Sequence, residues 1–333
     1  MEGAQELMAA PRIDARRLRL QRPGVWDLAP LVALVALAVG HQKLPSWQFT
    51  SPTHVTDVAA AIAVLYTVWL AAGAFVRRLG GFRASAAPIL TVAVLTVFAW
   101  DLLTAKSKVL PAPFFPTLDK IIEAYVEDWH LLLTSILYSL RLLGVGYAIG
   151  ATVGFVTGIA IGWSRRISYW LTPGMRLIGP VPATAWIPIA MVVFPTSFWA
   201  SVFLLALSAW FPVAVMTSSG IANVPRSYFE VARSLGADER FLIRHVAIPA
   251  AFPVVFIGLF MGLAMSFLTL LVAEMLGGKA GLGWYMTWAQ GWAQFGKVYA
   301  SLIIIAVLFS SIIAALFKAK DHLLEWQKGL VRW

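Results

Sequence analysis

From Leu177 to Pro225 the chain carries no charged residue. A single helical crossing of a bilayer takes about 20 apolar residues. A neutral stretch of more than twice that length therefore holds two crossings. Composition sets the same class: hydrophobic residues make up 60% of the 333 and charged residues only 13%, far from the balance of a soluble domain. The fold class expected is an all-α polytopic membrane protein with about eight transmembrane helices. Pro195-Thr196-Ser197 is the natural turn inside the neutral stretch, leaving a fifth span that ends near Phe194 and a sixth from about Phe198 to Ser219. Pro180, Pro182 and Pro188 fall within or just before the fifth. Proline frees carbonyls, and unwound backbone at membrane depth survives only where protein or a cavity covers it, so this span is the expected wall of a path.

The other elements follow in order. Residues 1–25 form a basic tail with Arg12, Arg16, Arg17, Arg19 and Arg22 ahead of the first apolar run, Trp26 to Gly40. Ala36-Leu37-Ala38 has the small-x-small pattern of a leader cleavage site, so the run fits either a leader or an uncleaved first span. Residues 26–104 hold the N-terminal spans, the second over about Val58 to Val76 and the third over about Ala86 to Trp100. A linker over 105–130 is broken by Pro111, Pro113 and Pro116, and then reads as an amphipathic helix lying at the interface. Leu118, Ile121, Ile122, Tyr125, Val126 and Trp129 fall on its apolar face, opposite Asp119, Glu123, Glu127 and Asp128. The fourth span, about Ser135 to Trp163, places Gly146, Gly150, Gly154, Gly158 and Gly162 along one side, where another backbone can approach. A seventh span runs from about Ala250 to Ala273 and an eighth from about Val298 to Phe317, before a basic tail over 325–333.

Between the sixth and seventh spans lies a strongly polar passage, Glu230 to Pro249. Ser227-x-x-Glu230 has capping-box spacing, Tyr228, Val231, Ala232 and Leu235 make a short apolar stripe, and Gly236 can end a helix in the left-handed conformation. Asp238 is a suitable cap for a second helix. Two arms of about ten residues are each too short to cross a bilayer, so they form a bent elbow outside it. The spacing Glu230-x-Ala232, Gly236 and then Val-Ala-Ile-Pro ending at Pro249 resembles the EAA loop of the membrane-spanning subunits of ABC-type importers; Val231, Val246 and Ile248 depart from that pattern conservatively. Val272-Ala273-Glu274-Met275 followed by Gly281-Leu282-Gly283 is similar to the nitrate, sulfonate, taurine and bicarbonate group of these permeases.

The resemblance implies a permease core over 131–324 with its coupling loop at 225–249. It implies that Glu230, Ala232, Arg233, Gly236, Ala237, Asp238 and Pro249 contact an ATPase. The implied partners are two ATPase subunits, a second permease copy and an extracytoplasmic solute-binding protein, with ATP and magnesium held by the ATPase and no cofactor in this chain. For the path, Arg141, Arg176, Pro182, Trp186, Pro188 and Glu274 are the candidates. An intramembrane arginine is a functional candidate by default, here for a small organic or inorganic anion, unless it snorkels or pairs with a carboxylate such as Glu274.

Charge orients the chain. Alternate loops put the N-terminal arginines, Arg77, Arg78, Arg83, Arg165, Arg166, Arg226, Arg233, Arg240, Arg244 and the basic C-terminus on one side, which the positive-inside rule makes cytoplasmic. Lys43, Lys106, Lys108, Lys120, Lys279 and Lys297 fall on the other side, so both termini are expected in the cytoplasm of a cell inner membrane. The net charge of +10 is explained by orientation and lipid contact, without a nucleic acid. There is no cysteine, hence no disulfide or thiolate chemistry. His41, His54, His130, His245 and His322 have no metal-ligand spacing, and no Gly-x-x-x-x-Gly-Lys-Ser/Thr loop occurs. An enzyme is not expected. A secondary transporter or channel is the alternative, and it would need charges paired near midplane.

Overall fold

Leu34, Leu37, Val55 and Ala59 are buried together, and they gather the helices of a first compact unit, residues 1–123. The computed structural model describes residues 25–47, 54–75, 77–107 and 109–325. The expected basic tails lie outside these residues, as do Lys108 and the side chains of Arg77, Arg78 and Arg83. The unit contains α1 (Val25–Lys43), α2 (His54–Phe75) and α3 (Arg77–Asp101), the last running into a π-helical turn at Leu102–Lys106. Val94 and Phe98 of α3 pack on the same core. The Tyr66 hydroxyl donates to the carbonyl of Asp27 at 2.9 Å, so α2 satisfies a polar atom in α1.

The interfacial helix is α4 (Leu118–Glu127), amphipathic as expected. One residue differs from the expectation: Asp119, placed on the polar side by periodicity, is buried. The reason for Asp119 is a partner: His41 of α1 faces it, which helical spacing alone does not reveal.

The second unit, residues 124–333, is built on three long helices. These are α5 (Trp129–Trp163), α8 (Ser197–Ala222) and α11 (Ile248–Gly277). The glycine row of α5 lies against α8. A Cβ at Gly154 would stand 2.7 Å from the carbonyl oxygen of Trp210, and one at Gly150 would overlap the backbone of Ala206. Gly258 and Gly262 of α11 approach α8 from another side, with 3.1 Å and 3.0 Å from such a Cβ to the carbonyls of Pro212 and Ala209. Close approach of backbones through small residues is the membrane substitute for a large-residue core, since lipid tails are as apolar as leucine. Around this contact Leu142, Leu204, Leu205, Leu263 and Leu270 are buried. α12 (Leu282–Gly291) and α13 (Phe295–Leu323) complete the unit. Tyr285 of α12 donates to Asp128 at 2.8 Å, and the Lys297 ammonium sits 2.7 Å from the same carboxylate. Burial and the Asp128 carboxylate together push the phenol well above the ordinary range.

The sixth, seventh and eighth expected spans are thus single helices, each a little longer than its apolar run. The fifth is not. In its place α6 (Arg165–Ile178) is followed by a 3-10 turn at Ala183–Trp186 and the short α7 (Ile187–Val193), with a bend of 85° between the two halves. α6 is amphipathic, unlike the long apolar helices around it, and the break falls where Pro180 and Pro182 remove donors. Among the described residues five helices are long and apolar enough to cross a membrane, or six if the bent pair counts as one, and α2 has a shorter apolar run at His54–Leu70. The eight spans read from the sequence are not reached by these helices.

Candidate functional site

The elbow begins at Pro225, which occupies the cap position of α9 (Arg226–Ser234). No side chain caps this helix, so the expected capping box of Ser227 and Glu230 is not formed. With the cap at Pro225, Ser227 already lies inside the first turn, two positions too late to take an orphan amide as the cap residue. Gly236 has φ +86° and ends the arm as expected. The Asp238 carboxylate accepts from the backbone N–H of Phe241 at 2.9 Å, capping α10 (Glu239–Phe241). The second arm is not a separate helix. α10 passes through a π-helical turn at Leu242–Ala247 straight into α11, with Pro249 near the start of α11. Proline lacks the amide that would close the regular α-helical turn, and a wider π turn accommodates the loss.

The elbow has two faces. Phe229 is turned to the protein, its ring edge-on to Trp163 at 5.7 Å, beside a core of Ile221, Ala247, Ala251 and Val255. Tyr228, Val231 and Leu235 face outward, and Leu235 is 84% exposed. Arg233 forms an ion pair with Glu239 across the bend at 3.3 Å. Glu230, Arg226 and Arg165 line a polar cavity of about 770 Å³ beside the elbow. Ala232 is half-buried on the protein side, and Ala237 donates its backbone N–H to the carbonyl of Ala232 at 3.0 Å.

The broken span, α8 and α11 enclose a second cavity of about 500 Å³. Pro182 and Thr184 at the break, Ser208 of α8, and Met261, Met265 and Thr269 of α11 are among its lining residues, and none of the lining residues is charged. Of the six expected path residues only Pro182 borders it. Met261, Met265 and Thr269 were not among the sequence candidates, although their four-residue spacing marks one helical face.

Glu274 is fully buried on α11, away from that cavity. It accepts from the Ser139 hydroxyl at 2.7 Å and from the Gly283 N–H at 2.9 Å, and Ser139 in turn accepts from the N–H of Leu282 at 2.9 Å. Gly281 has φ +119°, and a Cβ there would run into the Glu274 carboxyl, so this turn is closed on the carboxylate. Arg141 is exposed on α5, its guanidinium 5.0 Å from the ring of Phe198, the second residue of α8. Arg176 is exposed near the end of the amphipathic helix α6. Neither pairs with Glu274 or another carboxylate among the described residues. Trp186 and Pro188 flank the junction of the 3-10 turn and α7.

Residues 150–324 match the family model described as "Binding-protein-dependent transport system inner membrane component". The putative aliphatic sulfonates transport permease protein SsuC of Bacillus subtilis is 30% identical over 255 residues, covering 76% of this chain and 90% of that protein. The nitrate import permease protein NrtB of Synechococcus elongatus is 30% identical over 196 residues, 59% of this chain and 68% of that one. The bicarbonate transport system permease protein CmpB of the same organism is 30% identical over 196 residues, 59% of this chain and 66% of that one. In fold, the chain is similar to one from the inward-facing MetNI methionine ABC transporter, with a TM-score of 0.52, 18% identity, and coverage of 59% of this chain and 97% of that one.

Proposed function

The chain belongs to the family of binding-protein-dependent transport system inner membrane components, and from that premise we propose that the Arg226–Leu235 elbow is where a separate ATPase moves it. The observation that carries this reading is the outward apolar stripe of Tyr228, Val231 and Leu235 on a helix too short to span. Such a stripe fits the groove of a partner protein, the helix-in-groove mode of recognition. Its opposite face is bound to the core through Phe229, so a push on the elbow is passed to the protein rather than absorbed locally.

The connections supply the mechanism. α8 ends at Ala222, three residues before the cap of α9, and the far side of the elbow is continuous with α11 through the π turn. Both α8 and α11 line the uncharged cavity. Displacement of the elbow by ATPase closure therefore tilts two cavity walls together, which alternates access to the cavity. ATP and magnesium act in the ATPase subunits, two per transporter, with a second copy of this permease and an extracytoplasmic binding protein completing the assembly in an inner membrane. Both termini and the elbow are cytoplasmic, as the arginine-rich loops require.

The solute is a small organic or inorganic anion, supported by the relatives named for sulfonates, nitrate and bicarbonate. Arg141, exposed at the level where α8 begins, is placed to attract it, and Pro182 marks the wall it passes. The reading as a secondary transporter is disfavoured because, among the described residues of the second unit, the fully buried carboxylate Glu274 is engaged by Ser139 and Gly283. The test is co-purification of the permease with the ATPase of the same transport system. Leu235→Glu is expected to lose ATPase binding while the permease stays in the membrane. Undiminished binding and transport in that variant would sink the reading.

A further inference from the structure

The first unit contains a buried charge cluster that the transport reading does not use. His41, in the last turn of α1, is 3% exposed; Asp101, at the end of α3, is 0% exposed; and Asp119, in the first turn of α4, is 3% exposed. The His41 Nδ1 atom lies 3.1 Å from both carboxylate oxygens of Asp101, and its Nε2 atom lies 3.4 Å from Oδ2 of Asp119. One ring thus faces carboxylates through both nitrogens, and each nitrogen needs a proton to donate. Beyond His41, the Val55 backbone N–H reaches the Asp119 carboxyl, but no side chain makes a regular hydrogen bond to either of its oxygens, and the neighbouring Thr117 hydroxyl is buried without a partner.

Charge balance sharpens the point. Two ionised carboxylates and a neutral imidazole would bury two negative charges, which costs several kcal/mol per uncompensated ion. The charged groups of the surrounding elements do not supply the balance. Lys106 of the π turn forms no ion pair with either carboxylate; its ammonium points at neutral groups, 3.2 Å from the Leu44 carbonyl and 2.8 Å from Ser46 Oγ, with the carbonyl of His41 closer still. His54 of α2 exerts a lesser pull on Asp119. Lys43, Asp57 and Lys120 are exposed, and Lys120 pairs with Glu123. No metal-binding grouping of such side chains occurs among the described residues. Protons are the ligands that remain.

We propose that His41, Asp101 and Asp119 form a buried proton-binding site that clips α1, α3 and α4 together and opens when it loses a proton. The full site holds two protons over three groups, an imidazolium, one carboxylate and one carboxylic acid, and is electrically neutral. Burial pushes the Asp119 carboxyl upward and Asp101 adds to the rise, against the opposing pull of His41, His54 and the Val55 backbone N–H. The sign follows from linkage. A carboxyl raised in the folded protein contributes its full stability below its unfolded value and loses it as pH climbs through the folded value. The clip is therefore closed in acid and loosened toward alkaline pH. Its position suits a sensor, because α4 is the helix through which the first unit runs into the second.

The absence of native cysteine makes the test direct. Spin labels are placed on Gln42→Cys and Lys120→Cys, exposed positions on α1 and α4, in the full chain assembled with its partners in lipid nanodiscs. The α1–α4 distance distribution is read at about pH 5.5 and at about pH 8.5, on either side of neutrality. The expected result is one narrow distribution in acid that broadens and lengthens in base. Asp119→Asn, which keeps the shape of the protonated acid, is expected to stay narrow at both values, and His41→Gln to be broad at both. A wild-type distribution that does not change with pH would overturn the proposal, as would an Asp119→Asn variant that changes as the wild type does.

Discussion

Gly236 shows how one residue can hold the proposed coupling elbow in shape. Its φ of +86° lies where a side chain strains the backbone, yet a Cβ there would meet nothing within 4 Å. Any loss on substitution is therefore conformational and not steric. Forcing a branched residue into that region costs about 1–2 kcal/mol, whereas asparagine tolerates it. Gly236→Val is expected to reduce ATP-coupled uptake several-fold at equal membrane abundance, and Gly236→Asn to retain most of it; equal uptake in both would mean that the turn does not transmit motion. Glu274 sets the contrasting case, because each of its two oxygens accepts from a buried donor. Glu274→Gln turns one acceptor into a donor facing Ser139 or the Gly283 amide, at about 1–3 kcal/mol for the unmet group. It should lower the thermal unfolding midpoint of the purified protein more than Ser139→Ala does. The sequence shows Gly236 and Asp238 because a left-handed glycine and a helix cap are local signals, spanning a few residues. The Ser139 partner of Glu274 is 135 residues away, and no local pattern announces it.

Helix pairs repeat the lesson at a larger scale. The four-residue glycine row of α5 is legible, since helical geometry alone puts the residues on one side, and α8 packs on that side. The broken fifth span is only half legible: three prolines mark the irregularity, but the 85° bend follows from where α6 settles, and its amphipathic pattern is masked by the long neutral stretch that follows. The burial of Asp119 was missed for a similar reason, as periodicity assigns a face without knowing which partner waits there. The glycine row gives a paired test within one helix. A Cβ at Gly150 would overlap the Ala206 backbone, but one at Gly144 would meet nothing within 4 Å. Gly150→Ala must then push the two helices apart, at about 1–3 kcal/mol, while Gly144→Ala removes a flexible residue and is neutral or slightly stabilising. Thermal unfolding of the two variants in the same detergent decides it, and a Gly150→Ala protein as stable as the wild type would show that α5 and α8 are less tightly joined than the structure has them.

For the whole molecule, what fixes the mechanism is which side each loop faces. The elbow can meet an ATPase only from the cytoplasm, and the turns between the bent span and α8 and between α11 and α12 must then face outward. The arginines support this arrangement: Arg165, Arg166, Arg226, Arg233, Arg240 and Arg244 all lie at the same end of α5, α8 and α11, as the positive-inside rule requires of a cytoplasmic face. The absence of native cysteine makes the orientation measurable without a background to remove. Ser197→Cys, at the first residue of α8, and Lys279→Cys, in the exposed turn after α11, are expected to react with a membrane-impermeant thiol reagent added to intact cells. Ser234→Cys, at the exposed end of α9, is expected to react only after the membrane is opened. Adding the ATPase then refines the measurement, because a docked partner covers the outward stripe of the elbow and should slow labelling at Ser234 in opened membranes without changing it at Lys279. The reverse labelling pattern would place the elbow outside and remove its access to ATP-driven motion altogether.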